Sequence, residues 1–306
     1  MGDENPLVVV GERINPTGKK ILQAELKEGS NHELRRLALE QTEKGAQVLD
    51  VNVGMPGIDE KEAMINAIEL LGGISDAPLS LDSSSPEVLE AALRIYPGRA
   101  LINSISSEKM KLERLLPAAA KYGAMFVLLP LSDDGVPQTV LERQEIVKNV
   151  FGYQKSDVVV DGLVMTVSSN QEAAAETLKL IEWCSSEFGC ATIVGLSNVS
   201  FGLPERGWIN AAFLSMAIGR GLTMAIANPS NDLLMSIKMA CDVLTAKDAG
   251  SRNYISYFNS PGKAEAGRNH HLRADETRGD RTVRDKTDKI SRGKTSGERI
   301  YDAVMK

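Results

Sequence analysis

Short apolar runs recur along the chain, and each is followed by a segment with apolar residues at helical spacing. The runs are continuous rather than alternating, as is typical of strands buried on both faces of a parallel sheet. They predict eight strands, at Leu7–Val10, Val48–Val53, Leu79–Asp82, Ala100–Asn103, Ala124–Leu129, Val158–Asp161, Ala191–Val194 and Thr223–Ala227. The intervening segments predict eight helices, at His32–Lys44, Glu60–Leu71, Pro86–Leu93, Lys109–Tyr122, Thr139–Val150, Gln171–Phe188, Ile209–Ile218 and Asn231–Leu244.

This alternation predicts an α/β fold, and more narrowly a (β/α)8 TIM barrel. Eight strand–helix units in about 245 residues match the usual size of such a barrel. A doubly wound open sheet is the alternative, but no unit carries the G-x-G-x-x-G turn that binds phosphate in many sheets of that kind. We therefore predict a barrel domain over residues 1–247.

Residues 248–306 are predicted to form a polar C-terminal tail. The stretch 264–298 is rich in charged residues, Gly and Asn, and it lacks the large apolar residues that a core needs. The chain then ends in a short amphipathic piece, Glu298–Met305, for which we expect a terminal helix. That helix could pack on its own chain or dock a partner, and the sequence leaves both open.

The composition, with 42% hydrophobic and 25% charged residues, is that of a globular protein. A net charge of -6 argues against a nucleic-acid partner, which would need a basic face. No apolar run approaches the ~20 residues that span a bilayer, and the N-terminus lacks the basic start and apolar core of a secretory signal. We therefore expect a cytoplasmic protein with no membrane partner. Three scattered cysteines are too few for a disulfide framework or a zinc site, and no metal is predicted.

Nearly every predicted strand ends in a side chain that can form hydrogen bonds. These residues are Glu12, Asn15, Asp50, Asn52, Asp82, Asn103, Asp161, Ser197, Asn198 and Asn228. In a (β/α)8 barrel the strand ends share the C-terminal rim, where active sites lie. Any one of them could be a helix cap or a turn residue. So many together favour a polar ligand, because a buried polar group without a partner costs about 1–3 kcal/mol.

The rim set is acidic and rich in amides, and it contains few cations, which disfavours a phosphate-laden substrate. It has no histidine for acid–base chemistry, and no G-x-S-x-G segment, Cys–His pair or metal triad occurs in the sequence. The carboxylates offer hydrogen-bond acceptors, and the amides offer both donors and acceptors. A planar heterocycle with a donor-rich, amide-like edge fits such a set, and a pterin is a molecule of this kind.

Five segments carry a resemblance to a known family, in this order: GERINPTG, GAQVLDVNVG, SLDSS, LINSIS and GLSNVSFGLPER. Together they resemble the pterin-binding, corrinoid-dependent methyltransferases, and the similarity spans about residues 7–247. Dihydropteroate synthases share that fold, but their first two loops and their last strand end differently from ERINPTG, DVNVGMPG and AIANPSND. A synthase-like or non-catalytic pterin binder therefore stays as the alternative.

The resemblance implies a methyltransferase that exchanges a methyl group between N5 of tetrahydrofolate and the cobalt of a corrinoid. It also implies that a separate corrinoid protein supplies the corrinoid, which this chain does not hold permanently, and that the enzyme is a homodimer. The sequence contains no D-x-H-x-x-G cobalamin-binding segment, in agreement with a separate carrier. The direction of transfer and the identity of the corrinoid protein do not follow from the sequence.

Residue roles are implied only where this chain matches the motifs of the family. Asp82, Asn103 and Asp161 match the residues that hold the pterin ring, and Asn198 matches the residue that hydrogen-bonds near N5. Asn198 and Asp161 are accordingly the predicted catalytic residues. The other predicted folate-binding residues are Gly195, Ser197 and Arg206 in the same loop as Asn198, and Glu12, Asn15, Asp50 and Asn52 at the rim. One departure is Gly162, since family members often have a proline after the aspartate.

Overall fold

The computed structural model describes residues 4–133, 135–150 and 155–260. Its strands form one closed parallel barrel in which neighbours follow the order of the chain and the last strand pairs with the first. They are β1 (Val8–Ile14), β2 (Val48–Val51), β3 (Leu79–Asp82), β4 (Leu101–Ser106), β5 (Met125–Leu129), β6 (Val158–Asp161), β7 (Ala191–Gly195) and β8 (Met224–Ala227). The predicted (β/α)8 barrel is confirmed, and the open sheet is excluded.

Helices surround the barrel, and the described residues contain two more than the sequence predicts. The helices are α1 (Lys20–Glu28), α2 (His32–Glu43), α3 (Glu60–Gly72), α4 (Pro86–Ile95), α5 (Lys109–Tyr122), α6 (Val140–Val150), α7 (Ala173–Trp183), α8 (Arg206–Gly219), α9 (Asp232–Leu244) and α10 (Arg252–Asn259). The unpredicted ones, α1 and α10, bury almost no side chain, with Leu22 the one buried residue of α1. Both segments nevertheless have apolar residues at helical spacing, such as Leu22 and Leu26 in α1.

One predicted helix is wrong in its extent. The pattern suggests a helix over Gln171–Phe188, whereas α7 begins at Ala173 and ends at Trp183. The last turn, Cys184–Phe188, widens into a π-helix that Gly189 closes in the left-handed conformation. Apolar spacing does not distinguish such a terminal turn from the α-helix before it.

The core lies in two layers, which explains why the strands are apolar on both faces. Seven strands each contribute one residue to a cluster inside the barrel: Val10, Val48, Leu101, Val127, Val159, Ile193 and Met224. The alternate residues, such as Leu49, Leu81 and Ile102, pack outward against the helices. Apolar side chains thus fill the barrel below its C-terminal rim, and the polar strand ends lie above them.

The strand register brings particular polar residues side by side at this rim. Asp50 pairs with Ser80, and Asp82 pairs with Asn103, on the adjacent strands β2, β3 and β4. Between Gly11 and Ile14, β1 has one residue more than the paired stretch of β2, which is the signature of a β-bulge. A similar irregularity interrupts β4 after Ile102. Bulges redirect side chains, and both lie where the strands reach the rim.

The described part of the chain contains no helix of sufficient length and apolarity to cross a bilayer. The chain divides into two compact units, Met1–Ile255 and Ser256–Lys306, and only Ser256–Ser260 of the second unit are described. The division of the chain at residue 247 stays a prediction. The expected terminal helix Glu298–Met305 and both histidines of the tail lie outside the described residues.

Candidate active site

A cavity of about 320 Å³ opens at the C-terminal rim of the barrel. It brings together most of the predicted site residues, namely Glu12, Asn15, Asp50, Asp82, Asn103, Gly195, Ser197 and Asn198. A larger cavity, of about 490 Å³, lies beside α6 and contains none of them. We place the site in the smaller cavity, because the strand ends converge there and its polar groups come from several separate loops.

One wall of the cavity consists of the side chains of Asp50, Asp82 and Asn103, from β2, β3 and β4, and we call these three residues the carboxylate floor. Asn52, which follows β2, hydrogen-bonds to Asp82 but does not line the cavity. Asp50 Oδ1 accepts hydrogen bonds from Ser80 Oγ at 2.7 Å and from Asn103 Nδ2 at 3.0 Å. Asp82 Oδ2 accepts one from Asn52 Nδ2 at 2.9 Å. These bonds fix both carboxyl groups before any ligand arrives.

Burial raises the pKa of both carboxyl groups of the carboxylate floor. For Asp50 the proximity of Asp82 acts in the same direction as burial, and the hydrogen bonds from Ser80 and Asn103 oppose it. For Asp82 the hydrogen bond from Asn52 lowers the pKa and Glu60 raises it. A ligand that donates hydrogen bonds to these oxygens would stabilise their ionised forms.

The second wall is a turn that follows β7, which lies across the barrel from β3. It is a short 3-10 helix, Leu196–Ser200, and we call it the Asn198 turn. Asn198 is exposed and lines the cavity, and no side-chain hydrogen bond to it occurs among the described residues. A Cβ atom at Gly195 would lie 3.1 Å from Asn198 Nδ2, so glycine at this position allows the amide to fold back against the chain.

Arg206 braces the Asn198 turn from behind and does not line the cavity. Its guanidinium donates from Nη2 to the carbonyl oxygen of Ser197 and from Nε to Ser200 Oγ at 3.0 Å. The hydroxyl of Ser197 lies 3.5 Å from Glu12 Oε1, which joins the turn to β1. These contacts support Asn198 through its neighbours, and the predicted role of Arg206 in folate binding stays a prediction.

Asp161, the other predicted catalytic residue, ends β6 and is also absent from the cavity lining. Its Oδ1 accepts a hydrogen bond from the Leu163 N–H at 2.7 Å. Burial raises the pKa of Asp161 to about 6, although the Leu163 N–H and the Arg143 guanidinium both lower it. Its predicted role in holding the pterin ring therefore stays a prediction.

The structure explains why glycine, and not proline, follows Asp161 at position 162. Its N–H donates a hydrogen bond to the carbonyl oxygen of Ile193 at 2.8 Å, and proline has no N–H to donate. A Cβ atom there would also lie 2.9 Å from Thr177 Cγ2 and 3.0 Å from Val194 Cγ1. The close packing of β6 on its neighbours therefore requires glycine.

The cavity also contains residues that the sequence does not single out, namely Arg13, Thr17, Lys19 and Ile226. Two of them are cations that the sequence does not place at the rim, Arg13 in β1 and Lys19 in the loop that follows it. Both lie in or directly after the segment GERINPTG that carries the family resemblance. Asn228, in contrast, accepts a hydrogen bond from the Ser230 N–H at 3.0 Å and acts as a turn residue.

The arrangement suits a flat, polar heterocycle better than a metal ion. The carboxyl groups of Asp50 and Asp82, whose pKa values are raised, can accept hydrogen bonds from the donor-rich edge of such a ring, and the Asn198 amide lines the opposite wall. Among the residues that the structure describes, no three His, Cys, Asp or Glu side chains are grouped as metal ligands would be. The three cysteines are free thiols, two of them buried.

Comparison with known proteins identifies the class to which this site belongs. Residues 11–228 match the family described as pterin binding enzyme, and the chain is a member of that family. Over 264 residues it is 28% identical to methylcorrinoid:tetrahydrofolate methyltransferase of Eubacterium limosum, a match that covers 82% of this chain and 96% of the relative. Over 249 residues it is 29% identical to methionine synthase of Mycobacterium tuberculosis, covering 75% of this chain but 21% of that protein. The predicted enzyme class, a methyltransferase, is confirmed by these relatives.

Solved structures support the fold alone. Dihydropteroate synthase of Stenotrophomonas maltophilia superposes with a TM-score of 0.56 at 21% identity, covering 81% of this chain and 95% of the synthase. Dihydropteroate synthase of Xanthomonas albilineans in complex with 7,8-dihydropteroate gives a TM-score of 0.57 at 21% identity, covering 80% and 96%. The barrel is therefore shared by enzymes of different chemistry, and the activity must be argued from the site.

Proposed function

We propose that this enzyme transfers a methyl group between N5 of tetrahydrofolate and the cobalt of a corrinoid carried by a separate protein. The observation that carries the proposal is that the exposed Asn198 amide lines the same cavity as the buried carboxyl group of Asp50 and the partly buried carboxyl group of Asp82. The name of the Eubacterium limosum relative, which joins a methylcorrinoid to tetrahydrofolate, supports it.

The carboxylate floor would bind the edge of the pterin. The 2-amino group and the N3–H of a pterin are donors, and ionised Asp82 and Asp50 are acceptors only. Asn103, already held by its bond to Asp50, presents an amide to the ring oxygen and nitrogens. Because these side chains are fixed beforehand, little conformational entropy is lost when the ring binds.

Asn198 would act at the reacting nitrogen. When a methyl group leaves N5, negative charge develops on that nitrogen. A hydrogen bond to N5 that strengthens as this charge grows stabilises the transition state more than the bound substrate, and so lowers the activation barrier of methyl transfer. An amide can donate in this way without being an acid, which fits a cavity whose lining contains no histidine. The corrinoid, delivered by its partner protein, supplies the cobalt centre that gives or takes the methyl group.

We also propose, on the resemblance to the family, that the enzyme is a cytoplasmic homodimer whose corrinoid protein binds transiently at the rim. Sedimentation equilibrium of the full chain gives the oligomeric state directly. A mass equal to one chain at micromolar concentration would contradict the dimer and would leave the proposed reaction unaffected.

The reaction is tested by incubating the purified chain with tetrahydrofolate and a corrinoid that carries a ¹³C-labelled methyl group. We expect the label to appear on N5 in the NMR spectrum while the corrinoid absorbance changes in step. A parallel sample with p-aminobenzoate and a pterin pyrophosphate tests the synthase alternative. Formation of dihydropteroate, with no labelled methyltetrahydrofolate, would overturn the proposal.

A further inference from the structure

Arg13 and Lys19 lie together in the cavity because of the bulge in β1. In a regular strand two consecutive residues point to opposite faces, yet Glu12 and Arg13 both line the cavity. The extra residue of β1 relative to β2 falls at this point and explains the exception. The loop that follows β1 then returns to the cavity at Lys19, immediately before α1 begins.

Neither cation is neutralised by an ion pair among the described residues. Lys19 Nζ donates to the carbonyl oxygen of Asn15 at 3.0 Å, which is a neutral partner. Glu33 and Glu40 act on Arg13 at longer range, but both carboxylates are paired with Arg36 at 2.7 Å. Burial lowers the pKa of Lys19 and the positive charge of Arg13 lowers it further, while Glu12 and Glu33 act in the opposite direction without outweighing them. An anion between the two cations would relieve this repulsion.

Glu12 is the carboxyl group of the cavity nearest to these cations along the chain, and it is a poor counter-charge. Its pKa is raised by burial, although Lys19, Arg13, Ser197 and Arg206 all act to lower it. Burial is the largest of these effects, and Glu12 forms no ion pair with either cation among the described residues. The mouth of the cavity therefore contains two cations for which the protein supplies no full partner.

We propose that Arg13 and Lys19 form a carboxylate-binding site for the glutamate tail of the folate substrate. This inference rests on the proposed function. With the pterin edge on the carboxylate floor, the tail must leave through the open side of the cavity, and its carboxylates would be repelled there by Asp50 and Asp82. The two cations offset that repulsion, and a site of this kind favours folates that carry glutamate over those that carry none.

The test compares tetrahydropteroate, which lacks glutamate, with tetrahydrofolates carrying one and three glutamates. Titration calorimetry without any corrinoid measures each dissociation constant, so that a corrinoid phosphate cannot contribute. For the wild-type chain we expect glutamate to tighten binding by about tenfold, and added salt to weaken this gain. Arg13→Gln and Lys19→Gln should each weaken binding of the glutamylated forms by about fivefold and leave tetrahydropteroate within about twofold.

Two further variants separate the site from a general effect of charge. Lys27→Gln removes a cation from the last turn of α1, about 12 Å along the helix axis from Lys19, and should leave the dissociation constants of all three ligands unchanged. Arg13→Lys keeps the charge and should retain most of the gain. Equal binding of all three ligands by the wild-type chain, or equal losses for all three in Arg13→Gln, would overturn the inference while the pterin site stands. No binding of any ligand would overturn the proposed function and this inference with it.

Discussion

The carboxylate floor and the Asn198 turn line the same cavity, but they are built in opposite ways. The side chains of the carboxylate floor are at least partly buried, and Asp50 and Asp82 are held by hydrogen bonds from Ser80, Asn103 and Asn52. Asn198 is exposed, and its position depends on the backbone of its turn, on Gly195 and on the brace from Arg206. A buried, prearranged wall suits the recognition of a fixed ring, and a free donor suits a group whose charge changes during reaction.

This contrast indicates a division of labour between the two walls. Interactions that are equally strong in the bound substrate and the transition state lower the dissociation constant, and those that strengthen only in the transition state raise the rate. We therefore expect changes in the carboxylate floor to affect folate affinity and changes in the Asn198 turn to affect the rate of methyl transfer.

The largest effect is expected for Asn198→Ala. Loss of a single donor of this type lowers kcat by about 10²–10³-fold in enzymes where the donor stabilises developing charge. Folate affinity should change by less than about threefold, because the amide contributes little in the ground state. Stopped-flow measurement of methyl transfer at saturating folate provides the rate. A rate within about threefold of the wild-type value would show that Asn198 does not stabilise the transition state.

Asp82→Asn is expected to weaken folate binding by about 10–100-fold, since hydrogen bonds to a charged group contribute about 1.5–3 kcal/mol. The rate at saturating folate should remain within about threefold of the wild-type value. Glu87→Gln, a charge change at an exposed residue of α4, is the matched control. Unchanged affinity in calorimetry would show that the pterin edge does not lie on Asp82.

Gly195→Ala sharpens the comparison by moving Asn198 without removing it. The backbone of Gly195, with φ -75°, accepts alanine, but the new Cβ would lie 3.1 Å from Asn198 Nδ2 and displace the amide slightly. We expect the rate to fall by roughly tenfold, because small displacements of a catalytic group are costly. Gly219→Ala, where an added Cβ meets no atom within 4 Å, is the control. Equal rates for both variants would show that this contact does not position Asn198.

The smallest effect is the pH dependence of folate affinity. Burial raises the pKa of Asp50 to about 7 and also raises the pKa of Asp82, so the carboxylate floor gains protons as the pH falls below about 7, and a protonated carboxyl group accepts fewer hydrogen bonds. Affinity should fall by roughly threefold to fivefold between about pH 7.5 and about pH 5.5, with protons released on binding. Asp82→Asn should flatten this profile, and Asn198→Ala should keep it. Proton uptake on binding would contradict the assignment.

The raised pKa of Asp161 makes the free energy of unfolding of the ligand-free enzyme depend on pH. Between the ordinary pKa of an aspartate and its raised value, the folded state binds more protons than the unfolded state. The contribution of Asp161, with a pKa of about 6, therefore lowers the free energy of unfolding as the pH rises from about 4 to about 6. Asp161→Asn should remove this part of the pH dependence in urea titrations.

The sequence predicts the scaffold well, because strands buried on both faces leave continuous apolar runs whose count and spacing are characteristic. It also predicts the polar rim, since Asp50, Asp82 and Asn103 lie on neighbouring strands and all line the cavity. Helix α1 is not predicted, although Leu22 and Leu26 both pack against the core. Arg206, which the resemblance places with the folate-binding residues, hydrogen-bonds the backbone and side chains of the Asn198 turn, a contact that local sequence does not reveal.

The cations of the cavity could not be predicted from alternation along a strand. A regular β1 would have directed either Glu12 or Arg13 into the cavity, and only the bulge brings in both. Likewise, the need for Gly162 depends on the neighbouring atoms of Thr177 and Val194, which are far apart in sequence. Contacts between separate strands, and not local propensity, decide these details.

The most direct test of the division between the two walls is a double variant, Asp82→Asn with Asn198→Ala, measured beside both single variants. For each protein, calorimetry gives the folate dissociation constant, and a single turnover at saturating folate gives the rate of methyl transfer. We predict that the double variant has the affinity of Asp82→Asn and the rate of Asn198→Ala, each within about twofold. A double variant whose affinity falls well below that of Asp82→Asn, or a single Asp82→Asn variant that already loses the rate, would contradict the account.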